Sequence, residues 1–458
     1  VKILILGGGQ VGARVAENLV SEENDITIVD LDSKLLKQLQ DRLDIQTICG
    51  NAAQPSVLAG AGAADTDMLL ALTRNDETNL VACKLARELY NVPTRIARVR
   101  ASDYVEFGAK NTLDLFGVDQ PICPEQIVTE NLYQLFQYPG ALQVLDFAGG
   151  RVQLVAVTAM EGGLLLGREL RHVRQDLPDT DCRFCAIYRN NRLIIPKGDT
   201  ILQSNDEVFF LAERAAVPQM LAELRNSSQP IRRVLIAGGG NIGHRLARQL
   251  ENAGYEVKII EILRERCEWL GDNLDHTLVL HGEATDEALL EAENIDEMDV
   301  FCALTNDDED NVMSTLLAKR MGAKRVIALV NRASYVDLLE GHSIDIVISP
   351  HQSTIGSILA HLRRGDVEAV HALRGGRTEA MEVIVRGDRK TSRLVGLRID
   401  EVEMPHGCYI SAIVRHREVR MAHHDEVINS EDHLIIFVAH RRLVREVEQL
   451  IQVKMGFF

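Results

Sequence analysis

A chain of 458 residues exceeds what one hydrophobic core usually organises, so several domains are expected. At 46% hydrophobic and 26% charged, with a single Trp, the composition is that of an α/β chain packed on aliphatic side chains and excludes general disorder. The formal net charge of −17 divides evenly, 22 basic against 30 acidic residues through Pro230 and 28 against 37 beyond it, which argues against nucleic acid or anionic lipid as partners.

In chain order, Lys2-Ile3-Leu4-Ile5-Leu6 reads as a buried strand without a signal-peptide pattern, and no apolar run approaches the ~18 residues a membrane span needs. A cytoplasmic chain with no direct membrane insertion is the expectation. Gly7-Gly8-Gly9-Gln10-Val11-Gly12 follows that strand directly and opens a helical run through Val20. Gly7 permits the tight turn, Gly9 lets backbone approach a pyrophosphate, and Gly12 lets helix and strand pack closely. The helix start offers unpaired N–H groups and the positive end of its dipole to phosphate. Asp30 ends a second strand over 25–30, where a carboxylate accepts ribose hydroxyls and repels a 2′-phosphate, favouring NAD(H) or adenine nucleotides.

Residues 45–49, 68–71 and 95–99 read as further strands. Short apolar runs alternating with helical patterns predict a parallel sheet covered on both faces. Asn51 and Ala52 follow the third strand, and Thr73-Arg74-Asn75 follows the fourth; such loops line the ligand edge of open α/β sheets. Asn75 or Asp76 is equally placed to cap the helix that follows. Arg98 and Arg100 end the fifth strand, where a cation neutralises phosphate. A helix over 124–136 leads to Tyr138-Pro139-Gly140 and then to a hairpin of strands over 141–147 and 151–158 around Ala148-Gly149-Gly150. Cys182-Arg183-Phe184-Cys185 has neither the second ligand pair of a zinc ribbon nor a thioredoxin setting, so ordinary packing is expected.

Sliding the chain on itself exposes a repeat covering nearly all of it. Gly7, Gly9, Gly12 and Asp30 recur as Gly238, Gly240, Gly243 and Glu261; Gly50-Asn51-Ala52 as Gly282-Glu283-Ala284; and Ala71-Leu72-Thr73 as Ala303-Leu304-Thr305. Later, Pro124 answers to Pro350, Gly149-Gly150 to Gly375-Gly376, and Asp206 to Asp432. The second glycine turn is thus Gly238-Gly239-Gly240-Asn241-Ile242-Gly243, with Asp307 or Asp308 in the capping position. Aligned through Arg100 and Arg332, Arg98 faces Val330, so the two sites differ in charge. The expected fold is two Rossmann-like, doubly wound parallel-sheet domains, 1–137 and 232–363, each followed by a small α+β module, 138–225 and 364–453, joined at the polar connector 226–230.

No acid/base apparatus for hydride transfer stands out. His172 is the only histidine before Gly238, and neither His423-His424 nor His406 with Cys408 completes a metal-ligand set. An NAD-dependent oxidoreductase with an unrecognised substrate, and a redox or energy-state regulator of some other transporter or protein partner, are the competing readings.

The domain order, residues 7–12 with Asp30, Leu70-Ala71-Leu72-Thr73 with Asp76-Glu77-Thr78-Asn79, and the tract over 312–323 together resemble the regulator-of-conductance-of-potassium (RCK, or KTN) family. The resemblance implies a non-enzymatic regulator, peripheral on the inner face of the cell membrane, assembled as a homo-oligomer, typically a tetrameric ring, beneath a potassium-conducting integral membrane subunit. It implies binding of NAD(H), with ATP and ADP as further ligands, and a ligand-dependent change of ring shape. Carried over, the contacts are residues 7–12, Asp30, Asn51, Thr73 and Arg98, with residues 238–243, Glu261, Glu283 and Thr305 in the second copy. The connecting helices after Pro124 and Pro350 are either transmitters of that change or plain connectors.

Overall fold

The computed structural model describes residues 1–458 apart from 21–23, 102–103, 105–111, 178–179, 226–229, 340–343, 363–365, 374–377, 423–424 and 454–458. Most of the 226–230 connector, Gly375-Gly376 and His423-His424 therefore lie outside the described residues.

Strands β1 (Lys2–Leu6), β2 (Asp25–Asp30), β3 (Gln46–Cys49), β4 (Met68–Ala71), β5 (Thr94–Arg98) and β6 (Gln120–Ile122) form one sheet in the order β3-β2-β1-β4-β5-β6. Every pairing is parallel. Ile3, Leu4, Ile5 and Leu6 are all buried, as are all four residues of β4, because helices cover both faces of these central strands. The sequence reading missed β6: it holds only three residues, one of them Pro121, which is tolerated because the strand lies at the sheet edge.

A five-stranded antiparallel sheet follows, built from β7 (Ala141–Phe147), β8 (Val152–Thr158), β9 (Cys182–Arg189), β10 (Arg192–Ile194) and β11 (Glu207–Glu213), in the order β10-β9-β11-β8-β7. The hairpin turn uses Ala148, Gly149 and Gly150, all at positive φ. The second half repeats the plan: β12 (Arg233–Ala237), β13 (Glu256–Glu261), β14 (Leu278–His281), β15 (Val300–Ala303), β16 (Arg325–Leu329) and β17 (Ile346–Ile348) pair in the order β14-β13-β12-β15-β16-β17. Then β18 (Val367–Leu373), β19 (Thr378–Ile384), β20 (Cys408–Arg415), β21 (Glu418–Met421) and β22 (His433–Val438) pair in the order β18-β19-β22-β20-β21. These are two Rossmann-like parallel sheets, each followed by a small antiparallel module.

The chain divides into two compact units. The first is Val1–Ile127 with His351–Leu359; the second is Val128–Pro350 with Ala360–Phe458. Within the second unit, most of the connecting helix Pro124–Gln137 packs on the nucleotide sheet of the other half. Val128, Leu132, Leu135 and Phe136 share one apolar cluster with Val234, Ile236, Leu246 and Leu250. Phe136 meets Tyr255 edge-on with ring centroids 6.0 Å apart, and the Tyr255 hydroxyl donates to the Phe136 carbonyl at 3.3 Å. At the end of that helix, Gly140 takes φ +95, a left-handed conformation suited to glycine. Arg225 Nη1 donates to the Gly140 carbonyl at 2.8 Å, and Arg325, from β16, donates to that of Ala141. Burial pushes the Arg325 guanidinium down to about 10, with Arg225 adding to the effect.

The two small modules pack face to face in the same unit. Phe147, Leu154, Ala186, Phe209 and Leu211 share a core with Ala380, Ala412, Ile435 and Phe437. Asp206 and Asp432, matched in the repeat, are almost fully buried, and each holds an arginine in a two-pronged pair: Arg189 at 2.8 and 2.7 Å, Arg415 at 2.8 and 2.8 Å. A buried carboxylate is tolerable only with such pairing. Cys182 and Cys185 are free thiols of β9, packed in separate apolar clusters on either side of the sheet. Their spacing thus reflects packing, as expected, because three steps along a strand turn side chains to opposite faces.

Candidate nucleotide sites

The two glycine turns have almost superimposable chemistry. Gly7 and Gly238 adopt φ +102 and +101, open to glycine at no steric cost. A Cβ on Gly12 would lie 1.9 Å from the Gly7 carbonyl oxygen, and one on Gly243 would lie 2.0 Å from that of Gly238. Only glycine therefore lets the helices Gln10–Val20 and Asn241–Asn252 start so close to their strands. A Cβ on Gly9 or Gly240 would meet nothing within 4 Å, so both turns expose bare backbone to open space at the helix start. That cradle has the room a phosphate needs, at the positive end of a helix. Gln10, Asn241 and Gly240 are exposed and Ile242 is half-buried, whereas Val11 is core.

Each acid lies under its glycine turn. Asp30 accepts from the Gly8 N–H at 2.6 Å and from the Asp32 N–H at 2.9 Å; Glu261 accepts from Gly239 at 2.8 Å and from Leu263 at 2.9 Å. These bonds fix the carboxylates at the carboxyl ends of β2 and β13. They leave one lone pair on each oxygen for a further donor. Directly after the acids, Leu31 is 73% exposed and Ile262 57%, apolar surfaces of a kind an adenine ring covers.

The loops after β4 and β15 come against the glycine turns: a Cβ on Gly7 would lie 3.0 Å from the backbone of Leu72 and Thr73. This is where strand order reverses, the crevice in which open α/β sheets take ligands. Thr73 and Thr305 are held there by Asn79 and Asn311, two fully buried amides that the sequence reading did not single out as site residues. Asn79 Oδ1 accepts from the Thr73 N–H at 3.0 Å and its hydroxyl at 2.6 Å, while Nδ2 donates to the carbonyls of Thr73 and Arg98 at 3.2 and 2.9 Å. Asn311 repeats this with Thr305 and the Leu329 carbonyl. Their recurrence within the repeat was the available signal.

The capping alternatives are resolved. Asn75 caps Asp76–Tyr90, accepting from the Thr78 N–H at 2.6 Å, and Asp307 caps Asp308–Arg320, accepting from Asp310 at 2.9 Å. Asp76 and Asp308 are instead buried braces for the chain leaving the fifth strand. Asp76 accepts from the N–H groups of Arg100 and Ala101 at 2.8 and 2.9 Å, and Asp308 from those of Asn331 and Arg332 at 2.8 and 2.8 Å.

Those braces correct the alignment of the fifth strands. Arg98 corresponds to Leu329, not Val330, since Asn79 and Asn311 bond these two carbonyls and Ala97 and Ala328 pair with Ala71 and Ala303. The slip arises at the helix ends: Val92 N–H reaches back six residues to Ala86, Ala323 N–H only five to Ala318. The second copy therefore lacks one residue of that turn. Arg98 itself lies 3.6 Å from Glu125, and burial lowers its guanidinium. Arg100 donates to the Arg74 carbonyl, while the Arg74 side chain is exposed.

Asn51 closes its own turn, Oδ1 accepting from the Ala53 N–H at 2.9 Å; Ala52 is buried and Glu283 exposed. Among the described residues no group of three or more His, Cys, Asp or Glu could hold a metal, and no helix is long and apolar enough to cross a membrane.

Comparison with known proteins agrees with the repeat. The TrkA-N domain model matches residues 3–124 and 234–350, and the TrkA-C domain model matches 154–225 and 389–451. The chain is 52% identical to the Trk system potassium uptake protein TrkA of Halomonas elongata over the whole of both chains, and 48% identical to that of Vibrio alginolyticus over 98% of each. Among solved structures, the GsuK RCK domain shares the fold at TM-score 0.62 and 19% identity, covering 98% of this chain and 94% of that one. The GsuK channel bound to NAD does so at 0.61 and 19%, covering 98% and 78%.

Proposed function

We propose, from the premise that the chain belongs to the TrkA family of Trk system potassium uptake proteins, that it is a nucleotide-sensing regulatory subunit and not an enzyme. The observation that carries the reading is the duplicated cradle: an open glycine turn, an acid fixed beneath it, and a threonine loop pinned alongside. NAD(H) is the proposed ligand, with ADP and ATP as competitors; among solved structures of this fold are the GsuK channel bound to NAD and GsuK bound to ADP. The pyrophosphate would rest on residues 7–12 and 238–243, the adenosine ribose on Asp30 and Glu261, with Thr73 and Arg98 or Thr305 beside them. Asn51 and Glu283 border the adenine edge. The units of function are nucleotide domains 1–137 and 232–363 and small modules 138–225 and 364–453.

The proposed partner is a potassium-conducting integral membrane subunit, with this chain peripheral on its cytoplasmic face as a homotetrameric ring. A ligand gates such a ring only through differential affinity for two conformations. A roughly 2-fold preference at each of four equivalent sites, one per subunit, multiplies to about 16-fold, or about 1.6 kcal/mol, enough to bias a balanced channel. The helix Pro124–Gln137 is the proposed transmitter: it joins the first nucleotide domain to the first module while resting on the second nucleotide sheet.

Calorimetry with NADH on the native chain and on Asp30→Asn tests the site, alongside potassium uptake in cells carrying each. Asn keeps one acceptor for the glycine turn but removes the charge; about tenfold weaker binding at one of two sites is expected. Undiminished affinity, or no heat with any adenine nucleotide in the native chain, overturns the reading.

A further inference from the structure

The two cradles carry their cations on opposite flanks. At the first, Arg98 ends β5, while the positions corresponding to Arg266, Trp269 and His244 are Leu35, Gln38 and Ala13. At the second, Leu329 replaces the arginine, and Arg266 stands at the start of the helix Arg264–Asn273, beside the glycine turn. Arg266 Nε donates to the Gly239 carbonyl at 2.8 Å, and its guanidinium lies over the Trp269 ring, 4.0 Å from the centroid. Trp269 in turn meets the His244 ring edge-on at 4.8 Å. Among the described residues Arg266 makes no other hydrogen bond and no ion pair, so both Nη groups remain available. The His244 Nε2 is buried and unpartnered.

Anchoring by one hydrogen bond and one stacked ring pre-organises a guanidinium so that little side-chain entropy is lost when its free prongs engage a ligand. The prongs belong to the residue that grips Gly239, whose own N–H is bound by Glu261, so they lie beside the glycine turn and its acid. There Arg266 offsets the charge of Glu261, whereas the position matching Arg266 beside Asp30 is the neutral Leu35. An additional phosphate beside the acid is opposed at the first cradle and compensated at the second.

We infer that Arg266 makes the second cradle selective for adenine nucleotides bearing an additional terminal, dianionic phosphate group, and that the two sites of this chain therefore read different ligands. The inference rests on the reading of both glycine turns as nucleotide sites. The phosphate can come from the 2′ position of NADP(H) or from the end of the ATP chain.

Closing one cradle at a time separates these possibilities. Gly9→Asp and Gly240→Asp each put a carboxylate into space where a Cβ meets nothing, so the fold is kept and phosphate is repelled. Titration calorimetry of Gly9→Asp full-length chain with NADH, NADPH, ADP and ATP is expected to show about tenfold tighter binding of NADPH over NADH, or of ATP over ADP. The first outcome assigns the ribose phosphate, the second the chain end. Adding Arg266→Leu, the residue found at position 35, should erase the preference, and Arg266→Lys should retain part of it. Equal affinities within both pairs overturn the inference, as does a preference that survives Arg266→Leu. Binding by native chain and Gly240→Asp but not by Gly9→Asp also sinks it while leaving the first site standing; silence of the native chain with all four ligands removes the underlying reading instead.

Discussion

Cys185 and Ser411, equivalent residues of the two copies, touch: the thiol donates to the Ser411 hydroxyl at 3.7 Å. Each is the extra residue at an irregularity in its ladder, β9 against β11 and β20 against β22. A bulge leaves one residue unpaired and turns it out of register, and here the two bulges face one another inside the apolar core shared by the modules. The duplicated sequence thus builds a local pseudo-twofold pair within one chain.

Thiol chemistry follows from that burial. Burial pushes the Cys185 thiol up to about 11 and those of Cys182, Cys83 and Cys302 up to about 12. Thiolate is the reactive form, so iodoacetamide at pH 8 is expected to spare all four in the folded chain and to label Cys49, which is exposed at the end of β3 with its Sγ 3.5 Å from the Leu31 carbonyl. Saturating NADH should slow Cys49 labelling at least severalfold if adenine covers Leu31. Peptide mapping that finds Cys185 modified before Cys49 contradicts this.

The buried amides should be the costliest polar residues of the sites. Asn79→Leu strands the Thr73 N–H and the carbonyls of Thr73 and Arg98. At about 1–3 kcal/mol for each unsatisfied buried group, a loss of about 3 kcal/mol or more is expected, seen as a lower denaturation midpoint together with loss of nucleotide binding at the first site. Asn311→Leu should do the same at the second. A variant of native stability would show that the Thr73 loop is held otherwise.

Glycines of one motif should fail in different ways. Gly12→Ala drives a methyl group to 1.9 Å from a backbone oxygen and is expected to lower the melting temperature by several degrees. Gly9→Ala meets only open space, so stability should hold within about 0.5 kcal/mol while NADH affinity drops about tenfold. Equal thermal shifts for the two would refute the assigned geometry.

Acid should weaken the pairing of the modules through His371. Its ring stacks edge-on against Phe147 at 4.9 Å and its Nε2 lies 3.0 Å from the Asp146 carbonyl, while burial lowers its basicity. An unfolded histidine protonates near about pH 6.5. Between that pH and the lower folded value the unfolded state binds more protons, so stability is lost as pH falls. His244, lowered by burial and then by Arg266, Arg248 and Arg245, has the same sign. His371→Gln keeps a donor for Asp146 and should flatten the decline in melting temperature from pH 7.5 to 5.5; an unaltered slope would assign the acid sensitivity elsewhere.

How much was legible beforehand depended on the range of the interaction. Strand periodicity, the glycine turns, the acids at the ends of β2 and β13 and the duplication are local patterns, and a repeat doubles each signal. The Arg98 to Val330 alignment erred because a deletion inside a helix turn leaves the flanking pattern intact. Asp76 and Asp308 resembled caps because an acid in a helix's first turn looks the same whether its partner is the helix or a strand many residues later.

The amino-acid order alone determined that there are two parallel α/β sheets with a glycine turn and a flanking acid each, because turn geometry, burial and spacing are properties of neighbouring residues. The tertiary structure alone decided that the Pro124–Gln137 helix rests on the sheet of the other half, that the small modules meet at Cys185 and Ser411, and that each cradle has its arginine on a different flank. Apolar faces and buried donors specify that a partner is needed without specifying which one, and only packing in three dimensions selects it.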